Sequence, residues 1–310
     1  MWKFIKDWIL PVAMITGALT YKWVSALSFL TPYLLFFMLL LTFSKISWKD
    51  IRFKPAHIWL LLIQLIVSIG LYYALLPFNR ILAEGAMLCV LTPTATAATV
   101  ITGMLGGSVG FITAYALFCN VAVALAAPVY FSLTGVHEEL TFLQSMFNIC
   151  QKVFPVLILP LFVAFAMKKW TPKVHNALLN LSKLTFYLWV AALVIVTGIT
   201  VRFVLEQDGN ELIMIIGLLC VSLILCCLQF GIGRGIGKRY GDPISAGQGL
   251  GQKNTILAIW MAQTYLHPLT TIAPAGYILW QNIINSSQLF LKARKAKKNP
   301  IKNHSVTYSL

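Results

Sequence analysis

The chain has 310 residues, 59% hydrophobic and 11% charged, with a formal charge of +15 and a mean hydropathy of +0.80. A water-soluble domain carries roughly a quarter charged residues, so a soluble fold would leave most apolar runs with nowhere to bury. The basic residues sit in short clusters between those runs and in the tail, a pattern of membrane-facing loops and lipid headgroup contacts rather than of a nucleic-acid surface.

Ten apolar runs follow one another, near 6–24, 29–46, 57–77, 80–106, 109–134, 146–167, 180–203, 211–233, 243–266 and 268–291. Each is close to the about 20 residues that a membrane helix needs. The expectation is an all-α integral membrane protein with about ten transmembrane helices. No small-residue cleavage site follows the first run cleanly, so it reads as a crossing rather than a signal peptide. With the N-terminus inside, the inner loops hold Lys45, Lys49, Arg52 and Lys54, then Lys168, Lys169 and Lys173, then Arg234, Lys238 and Arg239. Lys3, Lys6 and the tail cluster Lys292, Arg294, Lys295, Lys297, Lys298 and Lys302 fall on the same side. The other side receives Lys22, Arg80, Lys152 and Arg202, with Glu138, Glu139, Glu206, Asp208 and Glu211. Basic loops stay cytoplasmic, which predicts a multi-pass protein of the cell (inner or plasma) membrane with both termini in the cytoplasm.

The acidic loop after the fifth run divides the chain into 1–140 and 141–292, followed by a basic tail at 293–310. Five crossings per half is an odd number, so the second half enters from the opposite side. Such inverted repeats are common in secondary transporters. The fourth crossing is interrupted by Leu91-Thr92-Pro93-Thr94-Ala95-Thr96-Ala97-Ala98-Thr99. The ninth is interrupted by Ser245-Ala246-Gly247-Gln248-Gly249-Leu250-Gly251-Gln252-Lys253-Asn254-Thr255. Pro93 removes a backbone donor, and the glycines weaken the ninth helix. Matching interruptions in the two halves point to a transport site. A pair of kinked helices packed through small residues is the plainer alternative.

Two charges lie within crossings. Glu84 sits about one turn inside the fourth, and Lys253 lies roughly 16 Å deep in the ninth at 1.5 Å per residue. Glu84 reads either as an interfacial carboxylate near Arg80 or as a member of the site. Lys253 reads either as an ammonium held by carbonyls of the broken helices or as a cation facing an anionic substrate. Gln64, Asn120, Gln281 and Asn282 are supporting candidates or ordinary interhelical glue. The six cysteines read as small core residues. His57, His137, His175 and His304 carry no expected role, and His267 reads as interfacial. No HExxH, GxSxG or paired intramembrane aspartates appear, so neither an enzyme nor a cofactor is expected.

The run from Pro93 to Gly107, with its Pro-x-x-Thr-Ala centre and Met104-Leu105-Gly106-Gly107, resembles the fourth helix of the bile acid:sodium symporter family. The run Gly251-Gln252-Lys253-Asn254-Thr255-Ile256-Leu257-Ala258 resembles its ninth, and Trp280-Gln281-Asn282 resembles its tenth. The resemblance implies a panel domain and a core domain, with crossed, broken fourth and ninth helices in the core, and alternating-access transport of organic anions. It places Pro93, Thr94, Thr96, Thr99, Gln252, Lys253, Asn254 and Thr255 at the substrate and ion crossover.

The departures bear on the ion. Where the family carries Ser and Asn for sodium, this chain has Ala98 and Thr99. Where it carries an acidic residue and Gln, this chain has Gly249 and Lys253. The expected sodium site is therefore degenerate, no metal is expected, and uniport, anion exchange or proton coupling replaces sodium symport. Gln281 stands where the family carries His. A sodium-coupled symporter and a non-transporting membrane sensor or scaffold remain as alternative functions.

Overall fold

Proline and polar caps set the starts of the main helices. Pro55, Pro172 and Pro243 occupy first turns, where a missing amide hydrogen costs nothing. The side chains of Asn79, Ser108, Asp242 and Asn254 accept from the amides of Leu82, Phe111, Ser245 and Leu257. Gly106, at φ 84°, closes one helix in the left-handed conformation that glycine adopts without strain.

A computed structural model of the chain describes residues 2–46, 53–134, 141–181, 184–206 and 212–298. In chain order the helices are α1 (Trp2–Leu19), α2 (Tyr21–Val24), α3 (Thr31–Ser44), α4 (Pro55–Leu75), α5 (Arg80–Leu91), α6 (Ala98–Leu105), α7 (Val109–Leu133) and α8 (Phe142–Leu157). They continue as α9 (Leu159–Trp170), α10 (Pro172–Asn180), α11 (Leu184–Leu205), α12 (Leu212–Arg239), α13 (Pro243–Gly251), α14 (Thr255–Tyr265) and α15 (Ile272–Lys298). Among the described residues there is no named strand; the one extended pairing is an isolated antiparallel bridge between Thr94 and Lys253.

Five helical stretches are long and apolar enough to cross a membrane, and α8 with α9, bent by 40°, makes a sixth if counted as one span. Large apolar side chains such as Ile66, Leu125, Phe162 and Ile213 face outward, as lipid allows and water does not. The chain is an all-α, multi-pass membrane protein.

Two sets of helices form. In one, α1 and α3 pack on α11, and α3 packs on α9. In the other, α4 packs on α5 and α7, while α12 packs on α5, α13 and α15. Helix ends are tied to one another by polar contacts. Lys168 reaches Ile46 O, His175 meets Ser44 O, Ser108 and Ser245 exchange hydrogen bonds, and Lys292 donates to Met104 O. Glu84 joins α5 to the turn between α14 and α15.

Several sequence expectations change in detail. The sixth run is not one helix: Pro155 and Pro160 bracket a break at Ile158. A short amphipathic α10 precedes the seventh run, and its His175 is buried. His57 is also buried, in the first turn of α4, where Nδ1 accepts from the Lys54 amide. Cys89, Cys119 and Cys226 are core residues as read, but Cys150 is only partly buried, and Cys220 and Cys227 are exposed. Lys49, Arg52, His137, Glu138, Glu139, Asp208, Glu211, Lys302 and His304 lie outside the described residues.

Candidate functional site at the helix crossing

α5 ends at Leu91 and α6 begins at Ala98; α13 ends at Gly251 and α14 begins at Thr255. The two unwound segments cross and pair. The Ala95 amide donates to Gln252 O at 2.9 Å, and the Asn254 amide donates to Pro93 O at 2.8 Å. The offset that carries Thr94 onto Lys253 also carries Ala95 onto Asn254 and Pro93 onto Gln252. The two backbone bonds are therefore exchanged by one two-fold operation. The same holds for side chains. Thr94 Oγ1 donates to Gly249 O at 2.7 Å, and Lys253 Nζ donates to Val90 O at 2.8 Å. The shared offset carries Val90 onto Gly249.

Each of these side chains caps the last turn of the opposite half-helix. Helix C-termini leave carbonyls without intrahelical partners and carry partial negative charge. At the end of α5 every such carbonyl is accounted for. Leu88 O accepts from the Thr92 amide, Cys89 O from Gln229, Val90 O from Lys253, and Leu91 O and Thr92 O from Gln64. That accounting leaves the unwound backbone after α5 without an unpaired carbonyl in the last turn, as buried backbone requires. On α13, Gly251 O accepts from Tyr277 at 2.8 Å.

Lys253 is 1% exposed. Among the described residues its ammonium has one hydrogen-bond acceptor, Val90 O, and no carboxylate pairs with it. The titratable groups beside it are the thiols of Cys119 and Cys89. Its backbone amide and carbonyl are both held by Gln281, whose Oε1 accepts from Lys253 N at 2.9 Å and whose Nε2 donates to Lys253 O at 3.4 Å.

The expected site residues divide. Pro93, Thr94, Gln252, Lys253, Asn254 and Thr255 come together, all buried, at the crossing. Asn254 caps α14 and Thr255 is its first residue. Thr96 and Thr99 are half-buried at the start of α6, where Thr99 Oγ1 donates to Thr96 O. Ala98 is buried beside them. Gln64 and Gln281 support the crossing directly. Asn120 instead bonds Ala116 O of its own helix, and Asn282 bonds Ile278 O in the same way. Glu84 is elsewhere. It pairs with Arg80 at 3.0 Å and accepts from the His267 amide and Thr270 Oγ1, both at 3.1 Å. It staples an outer corner of the fold.

Gly249 has a packing reason as well. A Cβ there would lie 2.8 Å from Tyr115 Cδ1. The ring of Tyr115 fills the space a longer residue would need, while its hydroxyl donates to Gln64 Oε1 at 3.0 Å. Gln229, Tyr115 and Tyr277 are site residues that the sequence reading missed. Their signal was positional: Gln64 and Gln229 lie in the third and eighth apolar runs, Tyr115 and Tyr277 in the fifth and tenth.

No family model matches the chain, and no curated protein matches it.

Proposed function

We propose that this chain is a secondary transporter of small organic anions, working by alternating access and not driven by sodium. On this reading it is a divergent relative of the bile acid:sodium symporter family, with ten crossings in two inverted halves. The observation that carries the proposal is the buried, carboxylate-free ammonium of Lys253 at the pairing of two broken helices.

The inverted repeat is supported by the packing pattern. α4 meets α5 and α7 as α12 meets α13 and α15. α7 meets α13 as α15 meets α5, and α6 meets α7 as α14 meets α15. Every one of these pairs maps onto another when the halves are exchanged. The symmetric bonds at Thr94 and Lys253 lie on the same operation.

Anion selectivity follows from charge. Lys253 adds a full positive charge in a low-dielectric layer, where electrostatic terms are several-fold larger than in water. The N-termini of α6 and α14 add partial positive charge at the same level. Thr96, half-buried just before α6, offers a hydroxyl to an anion there. Sodium is disfavoured because the ammonium already takes Val90 O, and the Tyr115 ring closes on Gly249. The basic loops face the cytoplasm on this reading and meet anionic lipid headgroups. Neither catalysis nor a cofactor is part of it.

The test is uptake of a panel of labelled organic anions into proteoliposomes, with and without an imposed sodium gradient. Saturable anion uptake that is equal under both conditions is expected. Uptake that collapses without sodium would remove the ion part of the proposal; binding without any flux would replace transport by a sensor role.

A further inference from the structure

The polar residues of α15 fall on one stripe. Gln281, Asn285, Gln288 and Lys292 follow each other at spacings of four, three and four, which keeps them on one helical face. The stripe begins at the Lys253 peptide, held by Gln281. It continues where Gln248 Nε2 of α13 donates to Asn285 Oδ1 at 2.9 Å and Gln288 Oε1 at 3.1 Å. It ends where Lys292 Nζ donates to Met104 O, at the exposed end of α6. Its length is about 16 Å at 1.5 Å per residue, about half of a hydrocarbon layer roughly 30 Å thick.

The lane is under-satisfied along its course. Gln248 is 1% exposed and Gln252 5%, and the amide oxygen of each has no hydrogen-bond partner among the described residues. The Lys253 ammonium has three protons and one acceptor. Buried polar atoms at membrane depth need partners, and water or a ligand supplies them where protein does not. The other side of the crossing is different. Residues 85–91 of α5 and 256–262 of α14 carry no charge, hydroxyl or carboxamide, and all of them are buried. Beyond them lie Gln263 Nε2 and Tyr265 Oη, also buried without a partner among the described residues, and the Glu84 staple, whose partners are complete; seven apolar residues on each helix separate these atoms from the crossing.

We infer that the stripe of α15 against α13 is a hydrated access lane connecting Lys253 to the basic face of the protein, and that the structure is the state closed on the opposite face. Water, and protons moving with it, reach the crossing from the Lys292 end only. This rests on Lys253 being the functional cation, but the lane exists or fails independently of flux.

The experiment is thiol labelling of the full chain with a membrane-impermeant methanethiosulfonate cation. One cysteine is added at a time, as Asn285→Cys or Gln288→Cys, and the native cysteines are measured in parallel as background. Arg294→Cys reports which vesicles expose the basic face. Ala86→Cys and Ile259→Cys are controls beyond the crossing. The two lane positions are expected to react in vesicles that label at position 294, about tenfold faster than the controls. Reaction from the opposite face, or at the control rate, overturns the lane. Because a lane variant may misfold, hydrogen–deuterium exchange of the unmodified protein is the second measurement. Amides of α13 are expected to exchange about tenfold faster than those of α14; equal protection also overturns the proposal. Absence of anion flux with the lane labelled as expected would sink the transport reading alone.

Discussion

A lysine at the centre of a membrane helix costs about 2.5–3.5 kcal/mol on insertion scales. A hydrogen bond to a charged group returns about 1.5–3 kcal/mol, and a cation at a helix C-terminus adds about 0.3–1 kcal/mol. Val90 O at the end of α5 supplies both terms, so Lys253 is close to balance without any carboxylate. Its stabilising role is therefore small, and its charge is the feature under test. Lys253→Met keeps the stem and removes the charge. We expect the unfolding midpoint in detergent to stay level or rise, while anion uptake falls by about tenfold or more, the size of a 1.4 kcal/mol loss. Normal uptake would end the role assigned to the charge. Glu84 gives the opposite pattern. Glu84→Gln weakens a buried carboxylate that serves Arg80, His267 and Thr270, a loss of about 1–3 kcal/mol. Thermal unfolding should show it, with uptake per folded molecule unchanged; a change in coupling without a change in stability would bring Glu84 back into the mechanism. Lys253 and Glu84 were both legible in the sequence as charges inside apolar runs. Their partners were not. Val90 offers a backbone carbonyl, which no side-chain pattern reveals, and His267 is 183 positions from Glu84.

At the scale of elements, the half-helices are held by close approach as much as by hydrogen bonds. α13 lies against α7 where Gly249 faces the Tyr115 ring. Gly249→Ala forces that ring to move, and overpacking of this kind costs about 1–3 kcal/mol. Tyr115→Leu should recover much of that cost in the double variant, measured as a coupling between the two stabilities. Additive losses would mean that the ring is not what excludes a side chain. The same contact bears on sodium: a carboxylate placed at position 249 has no room unless Tyr115 is also reduced. The two interruptions were readable because Pro93 and the glycine run break helical propensity locally. Their crossing was not readable, because it depends on bonds between residues 155 to 163 positions apart. The break at Ile158 shows the converse. Pro155 and Pro160 stood in the sequence, but an unbroken apolar run hid their effect. The pairs Gln64–Tyr115 and Gln229–Tyr277 show a third case. A single polar residue in an apolar helix looks like glue until the neighbouring helices are known.

For the whole molecule, the proposed symmetry makes a topological claim. Two halves of similar packing, each with an odd number of crossings, must lie in opposite senses in the bilayer. The basic ends of α9, α12 and α15 carry Lys168 and Lys169, Lys238 and Arg239, and Lys292 and Arg294, which on the proposed topology lie in the cytoplasm, as the positive-inside rule expects of such ends. Alkaline phosphatase is active only when exported, and a green fluorescent protein matures only when retained. Fused after Lys45, Thr134 or Arg239, the reporters follow two, five or eight crossings on the proposed topology. Phosphatase should be active after Thr134 alone, and fluorescence should appear after Lys45 and Arg239 alone. This pattern is demanding because the broken pair α5 with α6 and the bent pair α8 with α9 must each count as one crossing. If α5 and α6 instead formed a re-entrant loop, the Thr134 and Arg239 fusions would not differ as stated. Phosphatase active after both Thr134 and Arg239 would remove the inverted repeat, and with it the reason for the two-fold relation between Thr94 and Lys253. Activity confined to Thr134 leaves the crossing in the membrane interior, reached from each side by one half-helix of each pair.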